Sequence, residues 1–259
     1  MKSIQNAIIG GTGIYETGLS AETIPIETEY GTVNVDIAQY RGESVIFLPR
    51  HNKKHKNPPH NINYRANLKA LKNIGVKNIL ATFAIGSLSQ KLPIGSLVIL
   101  KDFIDFTKQR HQTFFDGDAN GVKHVKMADP YCKYLRNIIK LQAKKNYLEL
   151  GKDCIYICTE GPRFETKAEI KMMQLMGADV VGMTSVPEVI LAKELGICYA
   201  SIGLVVNMAT GIGNSLYEEH EFEKVLTKNK KIVNKLFLDI FSKKLNQKNC
   251  SCMDSILNL

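Results

Sequence analysis

The amino-acid sequence predicts an α/β protein: a single domain, residues 1–259, with a central mixed, largely parallel β-sheet flanked by helices. Three observations predict it. Apolar runs of strand length alternate with amphipathic stretches of helix length. The 259 residues suffice for one large domain, and no linker, internal repeat or low-complexity tract divides them. Hydrophobic content of 44% and charged content of 23% are those of an ordinary globular chain.

The elements follow in order. "AIIGG" (7–11) reads as a buried strand entering a glycine turn. "VNVDIAQY" (33–40) and "SVIFLPRH" (44–51) are two strands joined by a turn at "RGE". "NYRANLKALKNIG" (63–75) carries apolar and small residues at helical spacing and stops at Gly75. "VKNILATFAIGSL" (76–88) and "GSLVILKDFIDF" (95–106) are strands, and Thr107 to Lys126 is a long polar loop of the kind that often carries function. "DPYCKYLRNIIKLQAKKNY" (129–147) is an amphipathic helix. Strand, turn and helix follow in "CIYICTEGPRF" and "TKAEIKMMQLMGA". "DVVGMT" is a strand, and "VPEVILAKELG" is a helix that tolerates Pro187 in its first turn. "CYASIGLVVNMA" (198–209) is a buried strand, and residues 218–245 form a long terminal helix.

Composition narrows the function classes. Net charge is +9, but the densest lysine runs fall at helical spacing near the C-terminus, where they read as a solvated helix face rather than a nucleic-acid surface. No apolar run reaches membrane-spanning length, and the N-terminus lacks signal-peptide architecture, so a cytoplasmic location is expected. Six cysteines (132, 154, 158, 198, 250, 252) form no C-x-x-C pair and no zinc spacing. Cys154 and Cys198 read as core residues. Cys250-Ser-Cys252 reads as free thiols, because residues two apart close only a strained ring, with a redox clip as the alternative.

Two stretches point to an anion. In "IIGGTGIYE" a strand runs into Gly-Gly-Thr-Gly, whose backbone N–H groups and Thr12 hydroxyl can hold a phosphate. The dinucleotide fingerprint fails there, because Glu16 stands where the third glycine belongs, which argues against a nicotinamide oxidoreductase. In "LPRHNKKHKNPPH", Arg50 and His51 follow a strand directly, where ligands bind in α/β sheets. The histidines 51, 55 and 60 fit no zinc pattern, so no metal is expected.

Taken together, "IIGGTGIY", "LPRHNKKHKNPPHNINYRANLKALK", "FAIGSL", "FFDG…GVKHVKMADPYC", "EGPRFETKAEI" and "GMTSVPEVILAKELGICYASIGLVVN" resemble the purine nucleoside phosphorylases, in particular the methylthioadenosine phosphorylase branch of the trimeric family. The resemblance spans nearly the whole chain in order. It implies the nucleoside phosphorylase fold and cleavage of an N-glycosidic bond by inorganic phosphate. Phosphate is then a co-substrate, and neither cofactor nor metal is required. It implies a phosphate site of Thr12, Arg50, His51, the backbone of Phe83-Ala84, and Thr184, although the family often carries Thr or Asn where Phe83 stands. The implied nucleoside site is Met183, Phe164, Glu165, Asn207, Met208 and Ala209, with His124 reaching a neighbouring subunit's 5′ site in a homotrimer or dimer of trimers. Catalytic roles fall to Asn207 and His51.

Two residues bear on the base. The methylthioadenosine enzymes typically carry aspartate at position 207 and serine at 165, whereas inosine- and guanosine-cleaving enzymes carry Asn and Glu, as this chain does. A carboxylate at Glu165 accepts from N1–H of a 6-oxopurine but faces a bare lone pair on adenine N1. By spacing alone Glu165 reads rather as a helix cap and Asn207 as a strand end, and it is the resemblance that reverses this reading. Phe222 aligns with the 5′ position, where an aromatic suits a methylthio group. His220, two residues away, would suit a hydroxyl. The expectation is phosphorolysis of 6-oxopurine nucleosides (inosine, guanosine or 5′-methylthioinosine), with methylthioadenosine as the alternative substrate and purine salvage as the setting.

Overall fold

The computed structural model describes residues 4–10, 19–51, 57–117, 121–213, 219–246 and 250–257, with only the backbone described at 219–228 and 230. Thr12 and the Phe222 side chain, both expected at the site, lie outside the described residues.

In chain order the elements are β1 (Asn6–Gly10), β2 (Ala21–Ile26), β3 (Val33–Tyr40), β4 (Glu43–Pro49), α1 (Tyr64–Ile74), β5 (Asn78–Ser87), β6 (Leu97–Phe106), β7 (His124–Val125), α2 (Lys133–Lys145), β8 (Asp153–Thr159), α3 (Lys167–Leu175), β9 (Val180–Gly182), α4 (Glu188–Glu194), β10 (Cys198–Met208), α5 (Glu219–Phe241) and β11 (Ile256–Leu257). They form a single α/β domain. Its mixed sheet runs β10-β6-β8-β9-β5-β1-β4-β3-β2, and β10 also pairs with β5. That extra pairing closes β5, β10, β6, β8 and β9 into a ring, with the other four strands extending it as an open sheet. The pairs β1–β4, β1–β5, β10–β5, β6–β8 and β8–β9 are parallel.

Local chemistry explains the elements. The side chain of Asn63 caps α1 by accepting from the Ala66 N–H, and the N–H of Gly75 closes its other end on the Leu71 and Lys72 carbonyls. Thr166 and Glu169 cap α3 reciprocally as a capping box. Strands β5 and β10 are buried along nearly their whole length, as their apolar runs demand. On α5, Val233, Leu236, Phe237, Ile240 and Phe241 are buried while Lys231 and Lys235 face solvent, so these lysines form a solvated helix face. No apolar pattern marks β2: its residues are mostly exposed, and Pro25 sits within it, as an edge strand permits. Among the described residues no helix is long and apolar enough to cross a membrane.

Candidate active site

A cavity of about 210 Å³ opens at the carboxyl ends of β4, β5, β9 and β10. Of the residues expected at the site, Arg50, His51, Phe83, Ala84, Phe164, Glu165, Met183, Thr184 and Asn207 all line it. They come from five separate segments: the parallel strands β4, β5 and β10 bring Arg50, His51, Phe83, Ala84 and Asn207 together, and β9, antiparallel to β5, and the turn after β8 add the rest.

On the phosphate side, Arg50 is only 2% exposed. Its Nε and Nη2 donate to the two carboxylate oxygens of Glu188 at 2.6 and 2.8 Å, and its Nη1 donates to the Thr82 carbonyl at 3.0 Å. The guanidinium also stacks over the Phe83 ring, 4.3 Å from its centroid. Burial alone would lower the guanidinium's pKa, but the Glu188 carboxylate more than offsets this and holds it above its ordinary value. The donor fork that the sequence suggested for phosphate is therefore engaged by Glu188. Three of the five guanidinium N–H groups are committed in these bonds. Glu188, fully buried in the first turn of α4, also accepts from the Tyr199 hydroxyl at 2.6 Å.

The backbone N–H of Arg50 donates to the Gly10 carbonyl, so β1 ends beside this arginine. The Nδ1 of His51 lies 2.8 Å from the Asn57 carbonyl. A carbonyl only accepts, so Nδ1 carries the hydrogen and the ring is oriented by that bond. The N–H of Thr184 donates to the hydroxyl of buried Tyr156 at 3.1 Å. That hydroxyl passes close under Gly182: a Cβ on Gly182 would sit 2.6 Å from it.

On the base side, Glu165 is 7% exposed and accepts from the Thr159 hydroxyl at 2.7 Å. It does not cap α3, because Thr166 does so. Asn207 owes its direction to a β-bulge: the β10–β5 register shifts between Val205 and Asn207, so that Val206 and Asn207 both face the cavity. Its Nδ2 donates to the Met208 carbonyl at 3.0 Å. Gly86 makes the room, since a Cβ there would stand 3.2 Å from that same Nδ2. Phe164 is 57% exposed at the cavity mouth.

Three expected residues stand outside the cavity lining. Met208 offers only its carbonyl to Asn207, and Ala209 is buried in an apolar cluster with Ile170, Met173 and Val181. His124 is exposed on β7, which pairs with β11 in a separate two-stranded sheet.

Sequence reasoning missed two residues that organise the site. Glu188 stands in the first turn of α4, where the helix dipole favours an acid whatever its partner, so nothing in the sequence singles it out. Arg110, in the long polar loop, binds the loops around the cavity together. It donates to the carbonyls of Met183 at 2.7 Å, Val186 at 2.6 Å and Glu160 at 2.8 Å, and pairs with the Glu160 carboxylate at 3.0 Å.

Comparison with known proteins is consistent across the chain. Residues 5–242 match the phosphorylase superfamily. A probable 6-oxopurine nucleoside phosphorylase from Dictyoglomus turgidum is 49% identical over 252 residues, covering 96% of this chain and 95% of that one. A probable S-methyl-5′-thioinosine phosphorylase from Methanocaldococcus jannaschii is 44% identical, with 96% of each chain covered. Among solved structures, the methylthioadenosine phosphorylase from Schistosoma mansoni in complex with adenine superposes with a TM-score of 0.90 at 29% identity, covering 97% of this chain and 95% of that one.

Proposed function

The chain belongs to the phosphorylase superfamily, and from that premise we propose that it cleaves 6-oxopurine nucleosides with inorganic phosphate, releasing the free base and ribose 1-phosphate or its 5-modified form. One observation carries the reading: a carboxylate, Glu165, and an amide, Asn207, line the same cavity as Arg50, His51 and Thr184.

The chemistry follows from where charge develops. A phosphate oxygen forms a bond to the anomeric carbon as the bond to purine N9 breaks, and that electron pair passes into the purine ring. The sugar becomes cation-like and the leaving base anionic. The bare Nε2 of His51, whose Nδ1 hydrogen goes to the Asn57 carbonyl, accepts the O–H of hydrogen phosphate, and the anion takes the remaining N–H groups of Arg50, the backbone N–H of Ala84, and donors from Thr184 and Thr12. Because Glu188 already balances the arginine charge, these neutral donors hold much of the dianion. Asn207 donates to N7 or O6 and stabilises the leaving anion; preorganised donors of this kind are often the largest catalytic contribution. Glu165 accepts from N1–H, a contact that adenine cannot make. Met183 packs against base and ribose. Inorganic phosphate is a co-substrate, and the reaction needs neither cofactor nor metal. On the same reading the enzyme is a homotrimer or dimer of trimers, in which His124 serves a neighbouring subunit, and it acts in cytoplasmic purine salvage.

The test is a panel of inosine, guanosine, 5′-methylthioinosine and methylthioadenosine, each with and without phosphate. Phosphate-dependent release of hypoxanthine or guanine is expected. Release of adenine from methylthioadenosine, with none of hypoxanthine, overturns the base assignment.

A further inference from the structure

The fold gathers four cysteines that are far apart in sequence. Cys132 immediately precedes α2, Cys198 opens β10, and Cys250 and Cys252 belong to the C-terminal segment. Their four sulfur atoms lie within 4.8 Å of one another, and those of Cys198 and Cys250 are 3.2 Å apart. Cys132, Cys198 and Cys252 are buried, Cys250 is half-buried, and none of the four is in a disulfide. None of them lines the nucleoside cavity.

Isolated buried cysteines serve as small apolar side chains and need no thiol neighbours. Four sulfurs from three chain segments meeting at one point is a different arrangement. Zinc binds four thiolates tetrahedrally at about 2.3 Å each, which spaces the sulfurs roughly 3.8 Å apart. The observed spread brackets that value, so sub-ångström side-chain adjustments complete the coordination. Disulfides would instead join the sulfurs two by two, and Cys250 and Cys252, two residues apart, are poorly placed to join each other.

The Cys132 sulfur accepts from the Leu135 N–H at the start of α2. Lys193 lies near Cys252, and its ammonium is fixed by the Asp129 carbonyl at 2.7 Å. A cleft lined by Cys132, Cys250, Cys252 and Lys193 connects the cluster to solvent, giving a metal ion a way in.

We propose that Cys132, Cys198, Cys250 and Cys252 form a structural zinc site. All four thiols lose their protons to solvent on binding, and the four sulfurs leave no open coordination position for catalysis. The ion fastens the C-terminal segment to the starts of α2 and β10. Just beyond it, the Ser255 hydroxyl bonds to the carbonyls of Cys252 and Lys193, and β11 pairs with β7. The site thereby holds the β7–β11 ribbon against the body.

The experiment is metal analysis of the full chain purified anaerobically under reductant after growth with zinc. About one zinc per chain is expected, and cobalt exchanged into the site should give the intense visible spectrum of tetrahedral thiolate coordination. Cys250→Ser and Cys252→Ser should each lose most of the metal, whereas Cys154→Ala, a buried cysteine outside the cluster, should retain it. Chelation should lower the melting temperature of the parent protein and leave that of Cys252→Ser unmoved. The proposal is overturned if the protein takes up no zinc while its six thiols titrate as reduced. It is equally overturned if mass spectrometry finds the four joined as disulfides under these conditions, or if both serine variants keep full metal content.

Discussion

Replacing Asn207 with Asp tests base recognition at a single atom. The Asn207 amide carries two hydrogens, and one is committed to the Met208 carbonyl at 3.0 Å. The other is the one available to the purine. An ionised aspartate supplies neither: it removes the donor to the base and turns an oxygen towards the Met208 carbonyl. An unmade hydrogen bond to a buried group costs about 1–3 kcal/mol, which is roughly 5- to 150-fold in kcat/KM for inosine. A protonated aspartate has a single hydrogen to divide between Met208 and the base, so part of the loss should return as pH falls. The ionised form also accepts from the 6-amino group of adenine and repels O6. The ratio of inosine to methylthioadenosine turnover should therefore fall by about tenfold or more. Initial rates of base release with both nucleosides at about pH 6 and about pH 8 give the measurement. An inosine kcat/KM within roughly twofold of the parent, in a variant of unchanged melting temperature, would refute the assignment of Asn207 as the donor.

Three further outcomes are expected. Glu188→Gln leaves the Arg50 guanidinium buried without its counter-charge, at a cost of about 3–5 kcal/mol in denaturant unfolding, with a raised KM for phosphate; a loss below about 1 kcal/mol would mean that the pair is not structural. Gly182→Ala drives a Cβ to 2.6 Å from the Tyr156 hydroxyl. This should cost about 1–3 kcal/mol and weaken phosphate binding through Thr184, with partial recovery in the Gly182→Ala, Tyr156→Phe double variant. The Glu160 carboxyl would be raised by burial, but the Lys108 N–H and the Arg110 guanidinium more than offset this and hold it below its ordinary value of 4.5. A depressed acid stabilises the fold above its unfolded pKa, and that stability is lost as pH falls through the folded value. Amide protection in residues 107–117, measured against the intrinsic exchange rate at each pH, should therefore fall below about pH 4.5, and Glu160→Gln should abolish that acid response.

Much of the fold was legible because burial writes itself into sequence. The long apolar runs of β5 and β10, and the stop of α1 at Gly75, are local signals that the structure matches. Strand β2 was not legible, because an exposed edge strand interrupted by Pro25 carries no apolar alternation. The ring closure was hidden too: that β10 pairs with β5 as well as β6 depends on distant segments meeting. The same holds at the site. Arg50 and His51 could be read from their place after a strand, whereas Glu165 and Asn207 gained meaning only from the family resemblance. Glu188 stands 138 residues from its partner Arg50, and nothing local to either marks the pair. Arg110 sits in the long polar loop, whose composition marks no single residue, yet it holds the carbonyls of Met183, Val186 and Glu160.

The ring of β5, β10, β6, β8 and β9 has one short joint. Strand β9 is three residues long, runs antiparallel to β5 and parallel to β8, and is followed at once by Met183 and Thr184. A hoop yields where its stave is narrowest, so thermal breathing of this barrel reaches the two cavity residues beside the joint before it reaches the long, buried strands opposite. The Arg110 tether to Met183 and Val186 then works as a clasp across the gap, which ties the rigidity of the cavity floor to a loop none of whose described residues lines it.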